Sequence, residues 1–222
     1  MPEDICTNEN PTSTNRGIDP ETAASDIRSI LASGGEGESF FAQQRALLAW
    51  AERQERLLDP RHYLTPARDG GLEHRIWLDE TAGKVLKVTY GGCFGRIARN
   101  LRTGLGPATP LEYLDRWHAH NTLFGRITHL VGVIPTPECP QVVIEQSALA
   151  GDLPSTNLIE VFMKEYGFQK LEAHPFAWKN DKLRFMAFDA RSANFVLIED
   201  TPTPFDLIPV PYNKLAAFFS AP

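Results

Sequence analysis

Three side chains in the last third of the chain carry oxygens at a spacing suited to phosphate chemistry. They are Asp189, Asn194 after four intervening residues, and Asp206 after eleven more. Mg²⁺ is a hard cation that takes oxygen ligands, a few from protein and the rest from phosphate and water. The amide oxygen of Asn194 and the carboxylate of Asp206 could hold it against a polyphosphate. A second carboxylate kept off the metal, Asp189, could accept the proton of an attacking hydroxyl. Arg191, two residues beyond it, could lie beside the transferred group and offset its developing charge. The same residue types also suit Asx turns between strands, where Asp and Asn bond to their own backbone.

A second group lies upstream. Gly70-Gly71 forms a turn into the first strand of a predicted hairpin, and Lys87 lies mid-way along the second strand, between Leu86 and Val88. A lysine inside an apolar strand is costly unless its ammonium meets an anion, and an ATP phosphate would be one. The alternative is a lysine on the solvent face of the hairpin. Glu112 is the first choice of carboxylate to orient the lysine and Asp115 the second, with Glu73 on the neighbouring strand as a rival. An ordinary surface salt bridge is the competing role for each. Val142 to Gln146 reads as a buried strand whose end, Glu145-Gln146, leads into the connection over residues 147–151.

The elements that must position these residues are an α+β set. Residues 1–37 are rich in Pro, Thr, Asn, Ser and Gly and read as a flexible tail, with a short helix near Asp19 to Ala32. Ser39 to Leu58 has apolar residues at helical spacing. Residues 72–78 and 84–90 read as a strand hairpin, and 91–108 as an irregular insertion. A helix is predicted from Pro110 to Phe124, strands at 130–134 and 141–146, and a helix from Leu158 to Tyr166 stopped by Gly167. Strands follow at 183–188, 195–198 and 205–210, then a short helix near Asn213 to Phe219.

Composition narrows the classes. The chain has 222 residues, enough for one domain or two small lobes, with 42% hydrophobic and 23% charged residues. A formal net charge of -6 argues against a nucleic-acid backbone as partner, though not against ATP, which needs only a local positive site. Cys6, Cys93 and Cys139 are odd in number and far apart, which suits a reducing cytoplasm. No apolar run is long enough to span a membrane, so the expectation is a soluble, cytoplasmic protein with no membrane partner.

Taken in order, these segments resemble protein kinases, and most closely the small polyvalent protein-kinase-like domains of bacterial mobile elements and phages. The resemblance rests on Gly71-Leu72-Glu73-His74, Leu86-Lys87-Val88, Pro110 to Arg116 continuing to His120 to Gly125, Asp189-Ala190 through Asn194, and Phe205-Asp206-Leu207. It covers roughly residues 40–212. It implies a minimal two-lobed kinase-like fold: a leading helix over 38–60, an N-lobe over 61–150 and a strongly reduced C-lobe over 151–222. It also implies ATP and Mg²⁺ as cofactors, with Lys87 at the phosphates, Asp189 as catalytic base, and Asn194 and Asp206 on the metal. The phosphate acceptor would be a protein or a small molecule. The sequence departs from kinases where Ala187-Phe188 precedes the catalytic Asp, where Asp206-Leu207-Ile208 replaces Asp-Phe-Gly, and where the glycine loop is thin. These departures open a second expectation, an inactive kinase-like module that binds a nucleotide or a partner protein. A third is a structural accessory protein that docks through its N-terminal region.

Overall fold

Side-chain oxygens close the first turn of each of the four α-helices among the described residues. The computed structural model describes residues 17–35, 37–63, 68–100, 104–125, 128–172 and 174–214. Its helices are α1 (Pro20–Ser33), α2 (Phe40–Arg53), α3 (Pro110–Phe124) and α4 (Thr156–Glu165). They are capped by Asp19, Ser39, Thr109 and Ser155, each accepting a backbone N–H that the helix itself leaves unbonded. The strands are β1 (Arg68–Gly70), β2 (His74–Asp79), β3 (Lys84–Thr89), β4 (Arg96–Asn100), β5 (Gly104–Pro107), β6 (Thr128–Ile134) and β7 (Gln141–Ser147). They continue with β8 (Gln169–Lys170), β9 (Trp178–Asn180), β10 (Phe185–Phe188), β11 (Phe195–Ile198), β12 (Thr201–Pro204) and β13 (Ile208–Pro211). The α+β class expected from the sequence is what forms, with several small antiparallel sheets. Among the described residues, no helix is long and apolar enough to cross a membrane.

The chain divides into two compact units: residues 1–94 with 129–148, and residues 95–128 with 149–222. The N-lobe expected over 61–150 is therefore not one body, because α3 and the β4–β5 hairpin cluster with the C-terminal segment. That hairpin also replaces the irregular insertion expected over 91–108.

The first unit is a five-stranded sheet in the order β1-β2-β3-β7-β6 together with α1 and α2. Trp77, Leu86, Val88 and Val143, on one face of the sheet, form a core cluster with Val131, Ile134 and Tyr63. The expected tail is corrected here. Residues 1–16 lie outside the described residues, but Ala23, Ala24, Ile27 and Leu31 of α1 are buried. Their helical spacing gives α1 an apolar face, Pro20 opens its first turn, and Trp50 of α2 donates its indole N–H to Asp26 at 3.3 Å. Ile18 exchanges two backbone hydrogen bonds of 2.8 Å with Leu130 and so extends the packing before the helix begins. Helix α2 stops at Arg53 rather than Leu58. Glu55 adopts a left-handed φ of 54°, and Leu58 then donates its N–H to the Val133 carbonyl at 2.9 Å.

The second unit is built on the sheet β13-β10-β9-β8. Pro209 and Pro211 lack an N–H, which restricts β13 to an edge position. Ile159, Phe162 and Met163 of α4 pack with Trp178, Ala187, Phe195 and Leu207 in the core of this unit. Gly167, at φ 78°, ends α4 as expected. The β11–β12 hairpin turns through Glu199 and Asp200, at φ 49° and 63°, the two left-handed positions that a tight hairpin requires. Thr201–Pro204 is the returning strand, and Asp206 lies in a bend after it rather than in the strand expected over 205–210. The chain before α4 is held against the hairpin at Gly151, where any Cβ would stand 2.1 Å from the Leu197 carbonyl oxygen. The short helix expected near Asn213 to Phe219 falls mostly outside the described residues; only a 3-10 turn at Tyr212–Lys214 is described.

Candidate functional site

Asp189 immediately follows β10 and takes a left-handed φ of 60°, a conformation that Asp tolerates better than most residues. Its backbone oxygen accepts the Arg191 N–H at 2.8 Å, and a 3-10 turn over Ser192–Asn194 completes the loop. Inside this loop the Asn194 amide nitrogen donates twice to Asp189, to the backbone oxygen at 2.7 Å and to Oδ2 at 2.8 Å. Asn194 is buried, at 8% exposure. Fixing the amide nitrogen fixes where the amide oxygen points. Among the described residues, no donor reaches Asn194 Oδ1.

The loop thus brings together three of the expected residues, Asp189, Arg191 and Asn194. Arg191 does not reach away from Asp189 as expected. Its Nε donates to Asp189 Oδ1 at 2.7 Å and its Nη2 to Oδ2 at 3.1 Å. Both oxygens of the expected base are therefore engaged. A guanidinium two residues along can close this fork with little cost in chain entropy, which explains the outcome.

Asp206 comes next to this loop through the backbone, since the Phe205 N–H donates to the Asn194 carbonyl at 3.0 Å. Its Oδ1 accepts Arg116 Nη2 of α3 at 2.7 Å. The Arg116 side chain is 1% exposed and that of Asp206 23%. Arg116 also donates to the Arg96 carbonyl at 3.1 Å and lies over the Trp117 ring, 4.9 Å from its centroid. Arg116 did not stand out in the sequence. The available signal was its place on the buried face of α3, with Tyr113 three residues before it and His120 four after.

Glu112 is corrected in role. Its carboxylate completes a capping box with Thr109, accepting the Thr109 N–H at 2.8 Å, and takes a forked pair from Arg99 at 2.6 and 2.8 Å. Burial pushes this carboxyl up, but the Arg99 and Thr109 hydrogen bonds outweigh it and hold it below the usual range. Those bonds make it a structural cap, with no lysine required. Asp115 pairs with Lys214. A cleft of about 190 Å³ in this unit is lined by Arg99, Glu112, Asp115, Arg116 and Lys214 over Ile97, so charged pairs rim it.

In the first unit, Lys87 of β3 is 3% exposed, which removes the solvent-face alternative. It stands between Ile76 and Ile144 in register. Its face of the sheet also carries His74, Thr89 and Gln146, all buried. Glu145 lies on the opposite face, opposite Leu86, and pairs with Lys84 at 3.0 Å. Gly70 ends β1 opposite His74, and Gly71 opens the turn at φ 76°. The connection after β7 begins with the Ala148 N–H bound to the Gly83 carbonyl at 2.8 Å.

The donor chemistry fits a hard divalent cation. The oriented amide oxygen of Asn194 and the carboxylate of Asp206 are the ligand types Mg²⁺ takes. The one discordant group is Arg116, a fixed cation already on Asp206. Compared with protein-family models, curated proteins and solved structures, the chain matches none.

Proposed function

We propose that this protein is a kinase-like module that binds ATP with Mg²⁺, and that Asn194 and Asp206 hold the metal. One observation carries the reading: the Asn194 amide is anchored through its nitrogen by Asp189, which leaves its oxygen as the group available to a cation. When bound, Mg²⁺ supplies charge neutralisation at the phosphate oxygens. Asp189 would orient Asn194 in the ground state and, once released by Arg191, accept a proton from an acceptor hydroxyl.

The two arginine pairs favour the second reading, a module that binds nucleotide without turnover. Arg191 occupies both oxygens of the base, and Arg116 sets a positive charge against the metal ligand. A thermal-shift titration with ATP, with and without Mg²⁺, and with hydrolysis followed alongside, separates the readings. A Mg²⁺-dependent shift with hydrolysis supports a phosphotransferase, in which Asp189→Asn lowers turnover about a hundredfold or more. A Mg²⁺-dependent shift without hydrolysis supports the binding module. The absence of any shift rejects both.

A further inference from the structure

Two cysteines 46 positions apart in sequence lie in neighbouring turns at one end of the five-stranded sheet. The β3–β7 ladder runs to Val88 opposite Val143, and the Val142 N–H then donates to the Thr89 hydroxyl at 2.9 Å. The chains stay side by side past the last paired strand residues. A Cβ on Gly91 would lie 3.7 Å from Gln141 Nε2, and the Gly92 N–H reaches the Cys139 sulfur. Gly92 is thus opposite Cys139, and Cys93 is the next residue. Each cysteine is held in a turn. The Cys93 N–H donates to the Tyr90 carbonyl at 3.3 Å, with Gly92 at φ 81° between them. The Cys139 N–H donates to the Thr136 hydroxyl at 3.3 Å.

The two thiols differ in access. Cys93 is half-buried, and Cys139 is 3% exposed. The Cys139 sulfur accepts the Gln44 amide of α2 at 3.1 Å and faces the Pro140 carbonyl at 3.6 Å. Burial pushes the Cys139 thiol up, the Gly92 N–H pulls it down, and the charge of Cys93 pushes it up again, so the two sulfurs are within electrostatic reach of one another. Cys139 is thereby the slow thiol and Cys93 the reactive one.

We propose that Cys93 and Cys139 form a reversible intramolecular disulfide, a redox-sensitive clip between the turn after β3 and the turn before β7. The oxidant is a low-molecular-weight disulfide such as oxidised glutathione. The Cys93 thiolate attacks one sulfur of that disulfide, the small S–S bond breaks, and one glutathione thiolate leaves. The Cys139 thiolate then attacks the Cys93 sulfur of the mixed disulfide and expels the second glutathione. The two protons released by the cysteines end on the two glutathione thiols, so two protein thiols are oxidised and one small disulfide is reduced. Closing the clip withdraws the Cys139 sulfur from its thiol state beside Gln44, which couples the redox state to the seating of α2. This inference is independent of the nucleotide reading.

The test uses the full chain carrying Cys6→Ser, incubated with oxidised glutathione, quenched with acid and digested without reduction. The expected result is a Cys93–Cys139 linked peptide that a thiol reductant removes. Cys139→Ser should then accumulate a persistent glutathione adduct on Cys93, because no thiol resolves it. Cys93→Ser should slow modification of Cys139 by more than about tenfold, because the buried thiol loses its accessible entry point. A Cys93 adduct that persists in the Cys6→Ser chain with no linked peptide would overturn the proposal. So would a Cys139 that reacts as fast without Cys93 as with it.

Discussion

Asp189 and Asp206 are both carboxylates held by an arginine, yet the two pairs are built differently. Asp189 is gripped by Arg191, two residues along, whose side chain is 54% exposed. Asp206 is gripped by Arg116, ninety residues away and 1% exposed. The first is a turn closing on itself, through an arginine whose side chain is largely open to water. The second joins a bend to the buried face of α3, so losing Asp206 leaves the Arg116 charge buried. The local pair therefore shapes a loop, while the distant pair holds the unit together and sets the charge at the candidate metal ligand.

The largest expected effect breaks the distant pair. Asp206→Ala should destabilise the protein by about 2–3 kcal/mol, somewhat less than a fully buried pair because Asp206 is itself partly exposed. Urea unfolding followed by tryptophan fluorescence reads this. A loss of only a few tenths would show that Arg116 finds another partner and that the two pairs are alike.

The local pair should respond to backbone rather than charge. Asp189→Ala keeps a Cβ at φ 60° and should cost about 1–2 kcal/mol, whereas Asp189→Gly should cost less, because glycine adopts that φ without strain. Equal losses for the two variants would mean that the carboxylate, not the turn, is what matters there. Arg116→Gln sharpens the other side of the comparison. It removes the fixed charge but keeps a donor, and should tighten Mn²⁺ binding about tenfold, read by electron paramagnetic resonance. Unchanged or weaker binding would show that Arg116 does not compete with the metal.

A smaller effect belongs to Glu112. Its carboxyl is held below its ordinary value of 4.5 when folded, so the stability it contributes is present above that pH and is lost as pH falls through the folded value. Glu112→Gln should be less stable than the parent at neutral pH, and the difference should shrink as pH falls below about 4.5. A difference that persists undiminished at pH 3 would contradict the charged cap, a pH chosen about a unit or more below that value.

Much of the fold was legible in the sequence because local rules dictate it. Helix α3 forms over Pro110–Phe124 as expected, since Pro110 opens it, Thr109 and Glu112 cap it, and Gly125 closes it at φ 65°. Lys87 on a strand was equally legible from its apolar neighbours. The Asp189–Asn194 grouping was readable because its contacts span only five residues. The Arg116–Asp206 pair was hidden, because two polar residues that far apart carry no mark of each other. Helix α1 itself was expected near Asp19 to Ala32 and forms over Pro20–Ser33; what stayed hidden, for another reason, was its burial. The Pro, Thr and Asn surrounding it lower the average hydrophobicity, and only the spacing of Ala23, Ala24, Ile27 and Leu31 reveals the buried face.

Calorimetry of ATP binding to the parent, to Asp206→Asn and to Asp189→Asn, each with and without Mg²⁺, tests the central claim most directly. Both variants keep a side-chain oxygen that can accept from Arg116 or Asn194, so folding is not at issue. The parent should bind ATP only with Mg²⁺. Asp206→Asn should weaken that binding about tenfold or more, because it loses the charged metal ligand, while Asp189→Asn should leave it nearly intact. Equal ATP binding by the parent and Asp206→Asn, with no dependence on Mg²⁺ in either, would contradict the account.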